Sequence, residues 1–149
     1  MKRILLIGFG NPGRGDDGLG PALAARLESL GIPWLTVESD YQLTIEHSAL
    51  AAEHDIVIFA DAAADADSPF YFRPVTPARE GKLSSHSITP AEVLGLAQTC
   101  FQASPDGYLL GIRAARLEAF EEGLSPEARL DLEAALEHLR RFIAERNPI

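Results

Sequence analysis

Ile4-Leu5-Leu6-Ile7-Gly8-Phe9-Gly10-Asn11-Pro12-Gly13 decides the reading of this chain. Six apolar or glycine positions in a row, closed by glycines and a proline, describe a strand buried on both faces that runs into a tight loop. Such a strand belongs to a sheet covered by helices on either side. Working outward, Pro21 suits the first turn of a helix whose Leu23, Leu27 and Leu30 share one face, and Gly31 ends it. Residues 34–37 form a second strand, 43–53 a helix, and 56–60 a third strand that is apolar throughout. Phe70–Val75, aromatic and β-branched, is a fourth. Only residues 61–69 separate it from the third, too few for a parallel crossover, so the fourth strand runs antiparallel to the third.

An irregular stretch follows, over residues 76–87. Then Thr89-Pro90-Ala91-Glu92 carries a capping box with proline at the first helical position. That helix reaches about Phe101, with Val93, Leu94, Ala97 and Phe101 facing inward. Residues 108–112 form the fifth strand. Ser125-Pro126 opens a last helix in which Leu132, Ala135, Leu136, Leu139 and Ile143 keep the helical period. The pattern predicts a three-layer α/β sandwich around a mixed five-stranded sheet with one antiparallel strand.

The chain has 149 residues, the size of a single domain spanning 1–149. It carries 13 Lys and Arg against 22 Asp and Glu, a net charge of −9 that repels phosphate backbones and argues against a nucleic-acid partner. One cysteine excludes an intrachain disulfide and a multi-cysteine metal site, and Cys100 reads as an inert thiol on the apolar face of its helix. The apolar run after Lys2-Arg3 is too short for a signal peptide, and no stretch approaches the ~20 apolar residues of a membrane span. The expectation is a soluble cytoplasmic protein.

Loops that follow parallel strands emerge at the carboxyl edge of a sheet, where open α/β folds bind ligands. Asp16 and Asp17 leave the first strand there, Asp61 sits at the end of the third, and His86 returns to the same edge before the later helix. Taken singly, each aspartate reads as a turn or cap residue, and His86 as a solvated loop residue. Taken together, two carboxylates and an imidazole suit a borderline divalent metal such as nickel, zinc or cadmium. Three protein ligands leave coordination positions open, unlike a closed structural zinc site. Gly8-Phe9-Gly10-Asn11-Pro12-Gly13 also matches the dinucleotide fingerprint, but Pro12 disturbs the helix start and Asp16 and Asp17 would face a pyrophosphate. The same segment resembles the opening of peptidyl-tRNA hydrolases, yet it continues Arg14-Gly15-Asp16-Asp17-Gly18 in place of their Thr-Arg-His-Asn.

A fuller resemblance runs along nearly the whole chain. Gly8-x-Gly10-Asn11, Gly15-Asp16-Asp17-Gly18-x-Gly20, Ala60-Asp61-Ala62, Ser85-His86-Ser87-x-x-Pro90 with Leu94 and Leu96, Leu110-Gly111-Ile112 and Leu124-Ser125 occur in the order found in hydrogenase maturation proteases. The resemblance implies a phosphorylase/hydrolase-like fold and an endopeptidase. Such an enzyme removes a C-terminal peptide from the [NiFe] hydrogenase large-subunit precursor after nickel insertion. It further implies metal ligands at Asp17, Asp61 and His86, where the family often has Glu at the first position. The nickel would be the precursor's own. Residues 38–46 are similar to the branch serving cytoplasmic, NAD-linked hydrogenases. Asp16 or Asp17 is the candidate carboxylate for activating water. The alternative from another class is a non-enzymatic nickel-binding maturation chaperone using the same ligands, and a second is a nucleotide-binding domain.

Overall fold

The computed structural model describes residues 1–79, 88–117 and 122–148. Five strands, β1 (Ile4–Phe9), β2 (Leu35–Asp40), β3 (Ile56–Ala63), β4 (Phe70–Val75) and β5 (Asp106–Arg113), form one sheet in the order β2-β1-β3-β5-β4. β1, β2, β3 and β5 are parallel, and β4 runs antiparallel to β5 at the edge. The expected reversal of β4 therefore holds, but its partner is β5, which inserts between β3 and β4. In this central place β5 pairs with β3 from Asp106 to Arg113 and with β4 from Gly107 to Ile112, so the strand extends beyond the apolar stretch 108–112.

Helices cover both faces. α1 (Leu19–Glu28) and α4 (Pro126–Arg146) bury Leu23, Leu27, Leu132, Leu136, Leu139 and their neighbours against Ile4, Leu6, Ile58 and Leu110. α2 (Glu46–Ala52) and α3 (Pro90–Phe101) close the other face over Leu5, Ile7, Val57 and Phe59. β1 is buried nearly throughout, as its unbroken apolar run requires. The α1 layer sits close because two glycines meet. A Cβ at Gly8 would lie 2.2 Å from the Gly20 carbonyl oxygen, and one at Gly20 would lie 2.5 Å from those of Phe9 and Ala60.

Three details differ from the sequence reading. Leu30 lies beyond the end of α1 and is 45% exposed, because Ser29 already caps the helix. Phe101, the last residue of α3, is 48% exposed, and Cys100 beside it is also exposed rather than buried. Gln98, Thr99, Cys100 and Phe101 are all exposed, so the final turn of the helix is turned to solvent. Thr89 forms the expected capping box with Glu92, and Ser125 caps α4. Among the described residues no helix is long and apolar enough to cross a membrane.

Candidate active site

The loop after β1 is shaped by Gly10, Asn11 and the acidic pair. Gly10 has φ +142°, and a Cβ there would lie 2.0 Å from the Asp17 carbonyl oxygen, so no other residue fits. Asn11 forms an Asx turn, its Oδ1 accepting from Gly13 N–H at 2.9 Å. The Asn11 N–H in turn donates to Asp17 Oδ2 at 2.9 Å. The chain then enters a short 3-10 helix, Gly15–Gly18, which carries Asp16 and Asp17. Side chains of adjacent residues diverge on such a turn, and these two have opposite surroundings.

Asp16 is fully buried. Its Oδ2 accepts from Ala115 N–H and Arg116 N–H at 2.9 Å each and from Ser125 Oγ–H at 2.8 Å; its Oδ1 accepts from Ser125 N–H at 2.7 Å. Burial works to raise its pKa, but the bonds from Ser125, Ala115 and Arg116 together outweigh it and hold the carboxyl below the usual aspartate value. Asp16 also donates its own N–H to Arg116 O at 2.9 Å. With both oxygens taken by protein donors, Asp16 is a brace between the first loop, the segment after β5 and the start of α4. Of the two carboxylates considered for activating water, Asp16 or Asp17, Asp17 is the one that reaches the surface.

Asp17 is partly exposed at the carboxyl edge. Asp61 lies within β3, two residues before its end, with Oδ1 accepting from Ala62 N–H at 2.8 Å. Burial pushes the Asp61 carboxyl up to about 6 against the pull of the Ala62 N–H, and the charge of Asp17 adds to the rise. The two carboxylates therefore feel each other across the rim. His86, the third expected ligand, lies outside the described residues. Ile88, two positions later, is described: its N–H donates to Leu43 O at 3.3 Å and its side chain is buried against the α2–α3 face. Among the described residues no group of three His, Cys, Asp or Glu side chains is placed to hold a metal ion. Asp17 and Asp61 are the part of the expected set that the described residues bring together.

Beside this rim the β2–α2 connection forms a second wall. Gly10 N–H donates to Asp40 O at 3.0 Å, tying the two loops. His47 is buried, its Nδ1 accepting from Thr44 N–H at 2.9 Å and its Nε2 facing Asp40 Oδ2 at 3.8 Å. Gly10, Pro12, Pro21, Ser39, Asp40 and Tyr41 line an open cleft of about 250 Å³. Asp40 falls within the stretch 38–46, and His47 follows it directly with no motif of its own.

No family model matches the sequence, and no curated protein matches it. Solved structures do. The hydrogenase maturating endopeptidase HybD from E. coli superposes with a TM-score of 0.79 at 25% identity, covering 97% of this chain and 94% of its own. The fold is that of the hydrogenase maturation endopeptidases. The [NiFe] hydrogenase maturation protease HycI from Thermococcus kodakarensis matches at a TM-score of 0.71 and 25% identity, over 93% of this chain and 90% of its own. A hydrogenase 2 maturation peptidase from a Thaumarchaeota archaeon shares the fold, with a TM-score of 0.72 at 21% identity over 96% of this chain and 99% of that one. The structural likeness to these maturation endopeptidases thus spans nearly the whole chain.

Proposed function

We propose that this endopeptidase removes the C-terminal peptide from the large-subunit precursor of a [NiFe] hydrogenase after nickel insertion, and that it recognises the nickel held by that precursor. The observation that carries the reading is the Asp17–Asp61 pair at the carboxyl edge of a maturation-endopeptidase fold. Two carboxylates in mutual repulsion are stabilised by a cation between them, and carboxylate oxygens with one imidazole nitrogen suit nickel. Asp17, Asp61 and His86 are the ligands we assign to it. Three donors leave coordination positions for the precursor's own groups, so nickel is part of the substrate here.

Charge supports selectivity as well. A rim with Asp17 and Asp61 on a chain of net charge −9 attracts a cation and repels a metal-free acidic peptide. For the cleavage itself Asp17 is the better carboxylate, since Asp16 has no oxygen to spare. Asp17 takes a proton from a water as its oxygen attacks the scissile carbonyl carbon. The carbon–nitrogen bond then breaks and the departing nitrogen receives the proton.

The test is incubation with a nickel-loaded and a metal-free precursor, followed by mass analysis. Shortening of the nickel-loaded form alone is the expected result. A precursor that binds and keeps its full length would make the chain a nickel-binding chaperone, and cutting of the metal-free form would sink nickel recognition.

A further inference from the structure

Asp16, Asp17 and Asp61 differ in how much of each carboxylate the protein itself holds. Asp16 has four donors on its two oxygens. Asp17 has one, the Asn11 N–H on Oδ2 at 2.9 Å, and Asp61 has one, the Ala62 N–H on Oδ1 at 2.8 Å. Among the described residues no donor reaches Asp17 Oδ1 or Asp61 Oδ2. Each rim carboxylate is thus held by a single main-chain N–H at one oxygen and offers the other.

For Asp61 that donor is the next residue of the same strand. For Asp17 it comes from six positions earlier, and the loop is built to deliver it. The Asn11 side chain closes a turn, its Oδ1 accepting from Gly13 N–H at 2.9 Å, and Arg14 N–H donates to Asn11 O at 3.0 Å. Asp17 N–H in turn donates to Arg14 O at 3.2 Å. Residues 11 to 17 therefore form a closed circuit of hydrogen bonds that begins on Asn11 and returns to it through the Asp17 carboxylate. Close backbone contacts seat the rest. A Cβ at Gly10 would lie 2.0 Å from Asp17 O, and one at Gly18 would lie 2.9 Å from Pro12 Cα. With its main chain fixed, Asp17 keeps only its two side-chain torsions, and the Asn11 N–H is the described group that selects their setting. Aspartate at position 11 could close the same turn but would bring a third carboxylate beside Asp17, and serine closes it more weakly. Asparagine supplies the acceptor without the charge.

We propose that Asn11 is a positioning residue of the active site: its side-chain turn aims its own N–H at Asp17 Oδ2, fixing the carboxylate so that Oδ1 is the oxygen presented to the precursor. The inference rests on the proposed processing reaction and sharpens it. Asp17 acts through one oxygen, because engaging a metal ion through both would require giving up the Asn11 bond.

Asn11→Ala removes the acceptor for Gly13 while leaving an N–H at position 11, so it disturbs the aim of that N–H and not its existence. Expected is an unchanged thermal midpoint, with kcat for the nickel-loaded precursor down roughly ten- to a hundredfold, the worth of one hydrogen bond to a charged group. Asn11→Ser, whose hydroxyl can still accept from the residue-13 N–H, should recover most of the rate. Hydrogen exchange gives a second readout that needs no precursor. The residue-11 amide should exchange slowly in the unaltered protein and faster in both Asn11→Ala and Asp17→Ala. Unaltered processing by Asn11→Ala, or a residue-11 amide whose exchange is the same in Asp17→Ala, would overturn the inference while leaving the proposed function intact. So would a rate loss that Asn11→Ser does not recover and that comes with a lowered thermal midpoint, since Asn11 would then only stabilise the loop. Failure of the unaltered protein to shorten the precursor would overturn the reaction itself, and with it Asn11's part in it, whatever the exchange shows.

Discussion

Ser125 gives Asp16 two hydrogen bonds while serving as the cap of α4. Its N–H and Oγ–H reach the carboxylate at 2.7 and 2.8 Å, and its Oγ accepts from Ala128 N–H at 3.2 Å. One serine thus joins the loop after β1 to the start of α4, across 109 positions of sequence. The arrangement orients Asp17 indirectly, because the 3-10 turn that carries it is anchored through its neighbour.

Asp16→Asn should destabilise the protein by about 2–4 kcal/mol, since an amide must turn its NH₂ toward one set of buried donors. The cost follows from a sign that can be checked. Asp16 has a folded pKa below its unfolded value, so its stabilisation is present above the unfolded value of 3.8 and disappears as pH falls through the folded one. Urea denaturation of both proteins between pH 7 and pH 3 should show the gap closing on the acid side. An equal gap at all pH values would contradict it.

Asp61 has the opposite sign. Its folded pKa of about 6 exceeds the unfolded 3.8, so the protein prefers it protonated. The stability it contributes is present below the unfolded value and is lost as pH rises through about 6. Asp61→Asn should therefore be more stable than the parent at pH 8, by about 1–3 kcal/mol, while losing processing. Carboxyl resonances followed by NMR should also show the Asp61 midpoint moving down in Asp17→Asn, which removes one of the charges that raise it.

Gly20→Ala tests the close approach of α1. Its new methyl would meet the carbonyl oxygens of Phe9 and Ala60, both backbone and neither free to swing away. A loss of about 1–3 kcal/mol is expected by chemical denaturation, and processing should fall further than stability because the shift lands where β1 enters the site loop.

Asp17→Ala, Asp61→Ala and His86→Ala should each abolish shortening of a nickel-loaded precursor while leaving far-ultraviolet circular dichroism unchanged. Removing one of three ligands leaves few contacts to retain the ion. Complete cleavage by His86→Ala would remove that histidine from the ligand set.

The apolar runs and caps determined the layers. Ile4–Phe9 and residues 56–60 could be buried on both faces only under helices, and the brief 61–69 connection could only reverse the chain. Local chemistry also fixed Thr89 and Ser125 as caps, since both satisfy backbone donors a few residues away. The order of the strands was not local. β5 takes its place between β3 and β4 through pairings with residues 32 to 50 positions earlier, which no local window of sequence contains. The same reason separates Asp16 from Asp17. Adjacent and identical in composition, they differ because Ala115, Arg116 and Ser125 arrive from about a hundred residues away to bind one carboxylate and not the other.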